Sequence, residues 1–418
     1  MAKLSAPKNR WQRTRKFFND IHLWLGLTSG LVVVAICFSG TVYVFNSELT
    51  ARAAPHLFKV KAGNSDRPLS IDSLVEIVQK QSDGNISGVM IPFGGERSIQ
   101  VNVKKKDDDS RGGVVYFINP YDGKVLGTSK EKNGTKELMS TMFSLHRWLL
   151  LDKIEKPIIA GLPNKKLGSI ITGSATILFT LGCLTGLIIW FPQKWKTWRQ
   201  GLKIKWNAGW KRVNRDLHNT LAFYAVFFLL LMGLTGPQWS FEWYRDGLQK
   251  TLGTYKPIEA QEGKMESDGG ENDKFDLSKI SIESLLLSAV KELPYDGNHQ
   301  VTFPASAKAT VAISKTRSGF FAPAGADRLA IDPATGQVLK KEIFRDKPFN
   351  ERIAGSIKAI HVGNVYGNFT KILYFLACLI ATSLPVTGTM IWLNKMKKKR
   401  KKTVPPRQTA VTLVEPVT

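Results

Sequence analysis

The chain has 418 residues, enough for two or more folded units, and its 43% apolar and 22% charged composition is ordinary for a soluble protein. Its 59 Lys and Arg against 34 Asp and Glu give a formal charge of +25, which nucleic acid, anionic lipid or membrane topology can each explain. Residues 1–20, 192–217 and 394–418 hold 22 of those basic residues and only three acids, Asp20, Asp216 and Glu415, so +19 lies in 71 residues and each block borders a long apolar run.

Those runs are Ile21–Phe45, Leu167–Phe191, Leu217–Ser240 and Ile372–Leu393, and none contains Asp, Glu, Lys or Arg. As helices they reach about 33 to 37 Å, against roughly 30 Å for a bilayer's hydrocarbon core, which excludes a soluble protein. The basic blocks lie before the first run, between the second and third, and after the fourth. This positive-inside pattern predicts four spans with both termini cytoplasmic. The predicted organisation is a basic N-terminus (1–20), span one (21–45), an outside domain (46–137), a surface helix and loop (138–166) and span two (167–191). A basic loop (192–216), span three (217–240), a second outside domain (241–360) with a flexible linker (261–274), span four with its lead-in (361–393) and a basic tail (394–418) complete it. Ala51-Arg52-Ala53 loosely resembles a signal-peptide cleavage site, but the preceding 25-residue run is too long for a signal-peptide core, so a retained helix is expected.

The chain reads as a tandem repeat. Asp20-Ile21-His22 and Asp216-Leu217-His218 open spans one and three, and each His lies 18 residues before the glycine of a small-residue pair, Ser39-Gly40 or Thr235-Gly236. Spans two and four close with Thr185-Gly186 and Thr387-Gly388, each continuing to Ile-Trp at 189–190 and 391–392. Outside, Asn119–Leu126 matches Asp332–Leu339 as a turn feeding an apolar strand, and helical stretches at Ile71–Gln81 and Ile282–Leu293 have Ser70 and Ser281 as N-caps. Short alternating strands complete two α+β units. Lys104–Lys106 with Asp107–Asp109 reads as a solvated hairpin tip, and Cys37, Cys183 and Cys378 lie inside spans as small apolar side chains.

The helix, strands and Asp332–Leu339 turn resemble PepSY domains, and their placement between spans is similar to that of the PepSY-associated transmembrane family, over residues 10 to 395. The resemblance implies a membrane α-helical bundle of four transmembrane helices with two periplasmic α+β PepSY-like domains and an internal tandem repeat. It also implies a bacterial inner-membrane, multi-pass location and a relation to siderophore reductases that bind two haems.

Four of the six histidines mark the spans. His22 and His218 begin the outward-going spans and belong near the cytoplasmic face, whereas His146 and His361 precede the inward-going spans and belong near the outer face. Neutral imidazole is a good axial ligand for haem iron, and facing helices can bring one to each side of a macrocycle. Zinc would need more protein ligands, and no acid lies within the spans. The expected cofactor is haem b, two per chain, with iron held by His22, His218, His146 and His361 and without the Cys-x-x-Cys-His of covalent attachment. Gly26 and Gly30, at i+4 and i+8 from His22, leave room for a flat ring or form a helix-packing face, and Ala222 and Val226 follow His218 likewise. Arg13, Arg15, Lys211 and Arg212 inside, and Arg147 and Lys358 outside, are candidate propionate partners. His146 lies 40 residues before Gly186 but His361 only 27 before Gly388, so His146 is expected on a separate surface helix, Leu138–Leu151, which leaves open an outer haem held by both histidines, by another ligand in place of His146, or by one histidine with a coordination position free.

The resemblance implies an oxidoreductase that takes electrons from a membrane quinol or other donor and reduces ferric siderophore of hydroxamate type. Reduction softens the iron and weakens its all-oxygen ligation. Trp239, Phe241, Trp243 and Tyr244 form a membrane-interface belt or a docking surface. The lipid bilayer is a partner; nucleic acid is not expected, since topology accounts for the basic blocks. Metalloprotease HExxH, GxSxG, Walker A and GxGxxG signatures are missing. Two other functions fit the same sequence: a haem-free PepSY protein that binds a peptide or regulates a partner enzyme, and a transporter component for iron chelate or haem. Four spans without acids argue against the second.

Overall fold

The computed structural model describes residues 10–61, 67–104, 113–257, 275–304, 306 and 309–403; the linker expected at 261–274 and residues 105–109 of the charged hairpin tip lie outside these. In chain order the elements are α1 (Arg10–Tyr43), α2 (Asn46–Ala53), α3 (Pro55–Phe58), α4 (Ile71–Gln81), β1 (Asn85–Ile91), β2 (Ile99–Lys104), β3 (Val114–Ile118), β4 (Val125–Thr128) and α5 (Gly134–Trp148). There follow α6 (Asn164–Trp190), α7 (Trp210–Thr235), α8 (Glu242–Thr251), α9 (Ile282–Glu292), β5 (Gly297–Thr302), β6 (Val311–Arg317), β7 (Ala326–Ile331), β8 (Val338–Glu342), α10 (Phe349–Val362) and α11 (Gly367–Thr403).

Helices α1, α6, α7 and α11 are long and apolar enough to cross a membrane, where the four apolar runs predict spans. They begin earlier or end later than the runs because a helix continues into its basic flank: α1 starts at Arg10 and α11 continues past Lys395. α1 packs on α6 and α11, and α7 on α11 and α6, around a core of Ala225, Leu229, Ala377, Ala381 and Leu384. Small residues allow these close approaches. A Cβ at Gly30 would lie 3.2 Å from Pro385, the proline inside α11, so Gly30 is a packing position.

The extramembrane part departs from the expectation of two separate units. Each half forms a four-stranded antiparallel meander with one helix, but β1 and β5 pair antiparallel, Val89 opposite Val301, giving one eight-stranded sheet in the order β4-β3-β2-β1-β5-β6-β7-β8. α4 and α9 contribute Leu74, Val78, Ile282, Leu285 and Ala289 to one core with Val89, Val101, Val301 and Ile313. Each helix carries its expected cap: Ser70 Oγ accepts from the Ser73 N–H and Ser281 Oγ from the Ser284 N–H, both at 3.2 Å. Asp72 crosses between the repeats, accepting from the Ile282 N–H at 2.6 Å and the Ser281 hydroxyl at 2.9 Å. A carboxylate at this helix N-terminus meets unpaired N–H groups and the positive end of the dipole. Unpaired, β1 and β5 would each expose a sheet edge; pairing removes both.

The outer histidines also ride differently from the expected boundaries. α5 carries His146 on its own helix, as expected, but His361 is not part of span four. α10 ends at Val362, the chain reverses at Gly363 with φ +76°, and α11 begins at Gly367. A side chain at Gly363 would meet Tyr374 at 2.5 Å, so only glycine permits this tight reversal. The difference between halves lies in the connectors, 149–163 in the first and 363–366 in the second.

Candidate functional site: two histidine pairs in the helix bundle

The structure brings the four span-associated histidines together as two pairs. The ring centres of His22 and His218 are 6.3 Å apart and those of His146 and His361 are 6.2 Å apart. Along α1, His22 and the Ile36 that holds His146 are 14 residues apart, so the pairs are separated by about 21 Å along the helix axis.

Each imidazole is anchored through Nδ1 to a different helix, and always beside one of the repeated small-residue pairs. His22 Nδ1 lies 3.0 Å from Gly182 O and 3.2 Å from Thr185 Oγ1; His218 Nδ1 lies 2.9 Å from Thr387 Oγ1. His146 Nδ1 lies 2.9 Å from Ile36 O, with Ser39 Oγ at 3.5 Å, and His361 Nδ1 lies 3.0 Å from Thr235 Oγ1. The glycine after each hydroxyl residue makes room for the ring. A Cβ at Gly186 or Gly388 would lie 3.2 Å from Cε1 of His22 or His218; at Gly236 or Gly40 it would lie 3.3 or 3.4 Å from Cε1 of His361 or His146.

These contacts determine the tautomer. A carbonyl only accepts, so Nδ1 of His22 and His146 carries the proton. Thr387 and Thr235 donate their single hydroxyl protons to carbonyls of their own helices, Ser383 O at 3.0 Å and Leu231 O at 2.6 Å, so they too accept from Nδ1. In all four rings Nε2 is left with the lone pair. A hydrogen bond at the second ring nitrogen is how proteins orient and strengthen a metal-binding imidazole.

The pair spacing can be tested against a metal. Imidazoles on opposite sides of one ion, with nitrogens about 2.0–2.1 Å from it and ring centres roughly 1.1 Å farther, stand about 6.3 Å apart. Both pairs match this separation, and rotation about the common axis accommodates interplanar angles of 80° and 67°. Among the described residues no group of three or more His, Cys, Asp or Glu could hold a metal ion, and each pair offers two imidazole nitrogens.

A cavity of about 610 Å³ adjoins the His22/His218 pair, a volume suited to a cofactor. Gly26 lines it with nothing within 4 Å of a Cβ built there; Gly30, Ala222 and Val226 line it as well. Of the candidate inner cations, Arg15 and Arg212 line the cavity and Arg13 and Lys211 do not; Arg215 and Lys395, which the sequence did not single out, join them. Arg212 is shared with Asp216 at 2.8 Å. At the other pair, Arg147 donates to Trp239 O at 3.3 Å, and the Trp239 ring lies 4.8 Å from that of His361. Tyr244 donates to Leu234 O, and Phe241 packs beside Gly173. His56 and His299 belong to the extramembrane part, His56 against Glu131 and His299 on β5.

Sequence reasoning missed the histidines' holders, Ser39, Thr185, Thr235 and Thr387. Their signal was present: these are the small-residue pairs that reveal the repeat, with periodicity but no spatial partner attached to them.

The family described as the PepSY-associated TM region matches residues 20–395, and the chain belongs to that family. No curated protein matches the chain.

Proposed function

We propose that this membrane protein is a haem-dependent reductase that passes electrons across the bilayer and reduces ferric siderophore on the side of the sheet, releasing ferrous iron. The observation that carries this reading is the repeated anchoring of four imidazoles by Nδ1, with Nε2 free to bind and paired rings at the separation of two axial ligands. His22 with His218, and His146 with His361, would hold one haem b each; bound, haem supplies a one-electron iron couple.

The chain's own residues have distinct tasks in this reading. The Thr and Ser hydroxyls and the Gly182 and Ile36 carbonyls keep Nδ1 protonated and hold each ring in orientation. The following glycines admit the rings between helices. Arg15, Arg215 and Lys395, at one end of the cavity-lining helices, can meet propionates, and the apolar core between the pairs excludes water. In this reading the end with the basic flanks lies in the cytoplasm and the sheet in the periplasm of a bacterial inner membrane, which the positive-inside charge pattern supports. A membrane quinol fits as electron donor. Hydroxamate-type ferric chelate fits as substrate because reduction weakens hard oxygen ligation.

The test is an absorption spectrum of the detergent-purified protein, oxidised and dithionite-reduced, with extracted haem counted per chain. Two haems per chain, one lost in His22→Ala or His218→Ala and the other in His146→Ala or His361→Ala, are expected, followed by reoxidation of the reduced protein by ferric siderophore. A colourless preparation made with ample haem supply sinks this reading in favour of a PepSY protein that binds a peptide or regulates a partner.

A further inference from the structure

The connection from β6 to β7 carries Phe320 and Phe321, 49% and 63% exposed, with ring centres 4.8 Å apart. Phe321 also packs on Phe369, in the first turn of α11, at 5.2 Å. From Phe369 an exposed apolar stripe descends α11 through Ile372, Leu376, Leu379, Val386 and Met390. Steps of three, four and seven residues keep one helix face, and on a membrane span an exposed apolar face is the one turned to lipid. The two phenylalanines extend that stripe beyond the end of the span.

They are also held in place by backbone. The Phe369 N–H donates to Phe320 O at 3.3 Å, the Ala324 N–H donates to Val365 O at 2.9 Å, and Pro323 bridges to Tyr366. Gly367 has φ +56°, and a side chain there would lie 2.8 Å from Phe320 O, so glycine is what allows the loop to lie on the start of α11. The corresponding segment of the first half, between β2 and β3, has the sequence Lys104 to Arg111, with four cations and three aspartates. At one repeat position the chain carries charge in one half and two phenylalanines in the other.

We propose that the β6–β7 connection is a lipid-docking element, with Phe320 and Phe321 entering the headgroup and upper acyl region of the bilayer beside α11. Aromatic rings favour that layer, and apolar side chains beside a span gain the same burial there as an interfacial helix does. The occupant is the bilayer because the patch is continuous with the lipid-facing stripe of a span. The same backbone bonds reach Val365, so docking also fixes the sheet against the joint between α10, which carries His361, and α11.

The test uses the full chain in phosphatidylethanolamine/phosphatidylglycerol vesicles, with a nitroxide attached at Phe321→Cys. Leu376→Cys is the lipid reference, Leu287→Cys on α9, where the native side chain is 67% exposed, is the water reference, and labelling of the unchanged chain corrects for Cys37, Cys183 and Cys378. Oxygen collects in lipid and a charged nickel chelate in water. The expected oxygen-to-nickel collision ratio at Phe321→Cys follows Leu376→Cys and is several-fold above Leu287→Cys. A ratio equal to that at Leu287→Cys overturns the proposal, as does protection from both reagents, which would place protein or a second copy on the patch. Should Phe321→Cys fail to fold, Phe320→Cys carries the same two readings.

Discussion

Gly26→Leu separates the cavity's proposed role as a cofactor seat from its role in packing. Gly26 lies one turn from His22, lines the cavity of about 610 Å³, and a Cβ there meets no atom within 4 Å. In the protein alone the first added carbon meets open space, and replacing glycine by a good helix former within a helix stabilises by roughly 0.5–1 kcal/mol. The added side chain does occupy the space a macrocycle beside His22 and His218 would need. Overpacking of this kind costs about 1–3 kcal/mol, which weakens binding by about 5- to 150-fold. The expected outcome is a variant at least as thermostable as the parent when both lack cofactor, with extracted haem falling from two per chain towards one and the His146/His361 signal retained in reduced-minus-oxidised spectra. A folded Gly26→Leu protein that binds both haems with parental affinity would falsify the assignment of this cavity.

Filling the glycine cradles should move the histidines themselves. Gly388→Val places atoms within 3.2 Å of His218 and should abolish the inner haem alone, whereas Gly236→Val should abolish the outer one, because metal–nitrogen bonds tolerate only about 0.2 Å of displacement; equal loss of both haems in either variant would point to general misfolding instead. Lys371, its side chain 9% exposed, is paired with Glu48 at 2.6 Å across α11 and α2. Glu48→Ala leaves the ammonium without its counter-charge, with the Ser47 hydroxyl at 3.4 Å, and should cost roughly 1–3 kcal/mol, a range reduced because Glu48 is itself partly exposed, and Glu48→Ala with Lys371→Met should recover most of it in thermal melts. On β5, burial and then the charge of Lys315 push His299 down to about 4, and its Nε2 is buried without a partner. The unfolded chain therefore takes up this proton first, so the sheet should be most stable above pH 6.5 and lose stability as pH falls towards 4. Hydrogen exchange of β5 and β6 at pH 7 and pH 5 should show that loosening in the parent and much less of it in His299→Leu.

Part of this architecture is local and therefore readable along the chain. Apolar runs without charge, the clustering of basic residues beside them and the caps Ser70 and Ser281 each depend on neighbours within a few residues. The histidines could be sorted by end of the bundle because helical rise converts residue number into depth. That the lead-in carrying His361 is a helix of its own, and not continuous with span four, could not be read, because the break depends on Gly363 and on Tyr374 packing over it. Gly30 likewise offered two roles, and the structure shows it both against Pro385 of another helix and lining the cavity.

The sequence by itself determined the four spans, the repeat and which histidines share an end of the bundle, since hydrophobicity, charge and periodicity act locally. Only the tertiary structure decided that β1 and β5 join two meanders into one sheet, because hydrogen-bonding capacity is the same along every strand edge and carries no address. It also decided that Ser39, Thr185, Thr235 and Thr387 are the partners of the four imidazoles. A hydroxyl beside a glycine reads the same whether it faces lipid or a neighbouring helix, and only packing brings a ring within 2.9–3.5 Å of it.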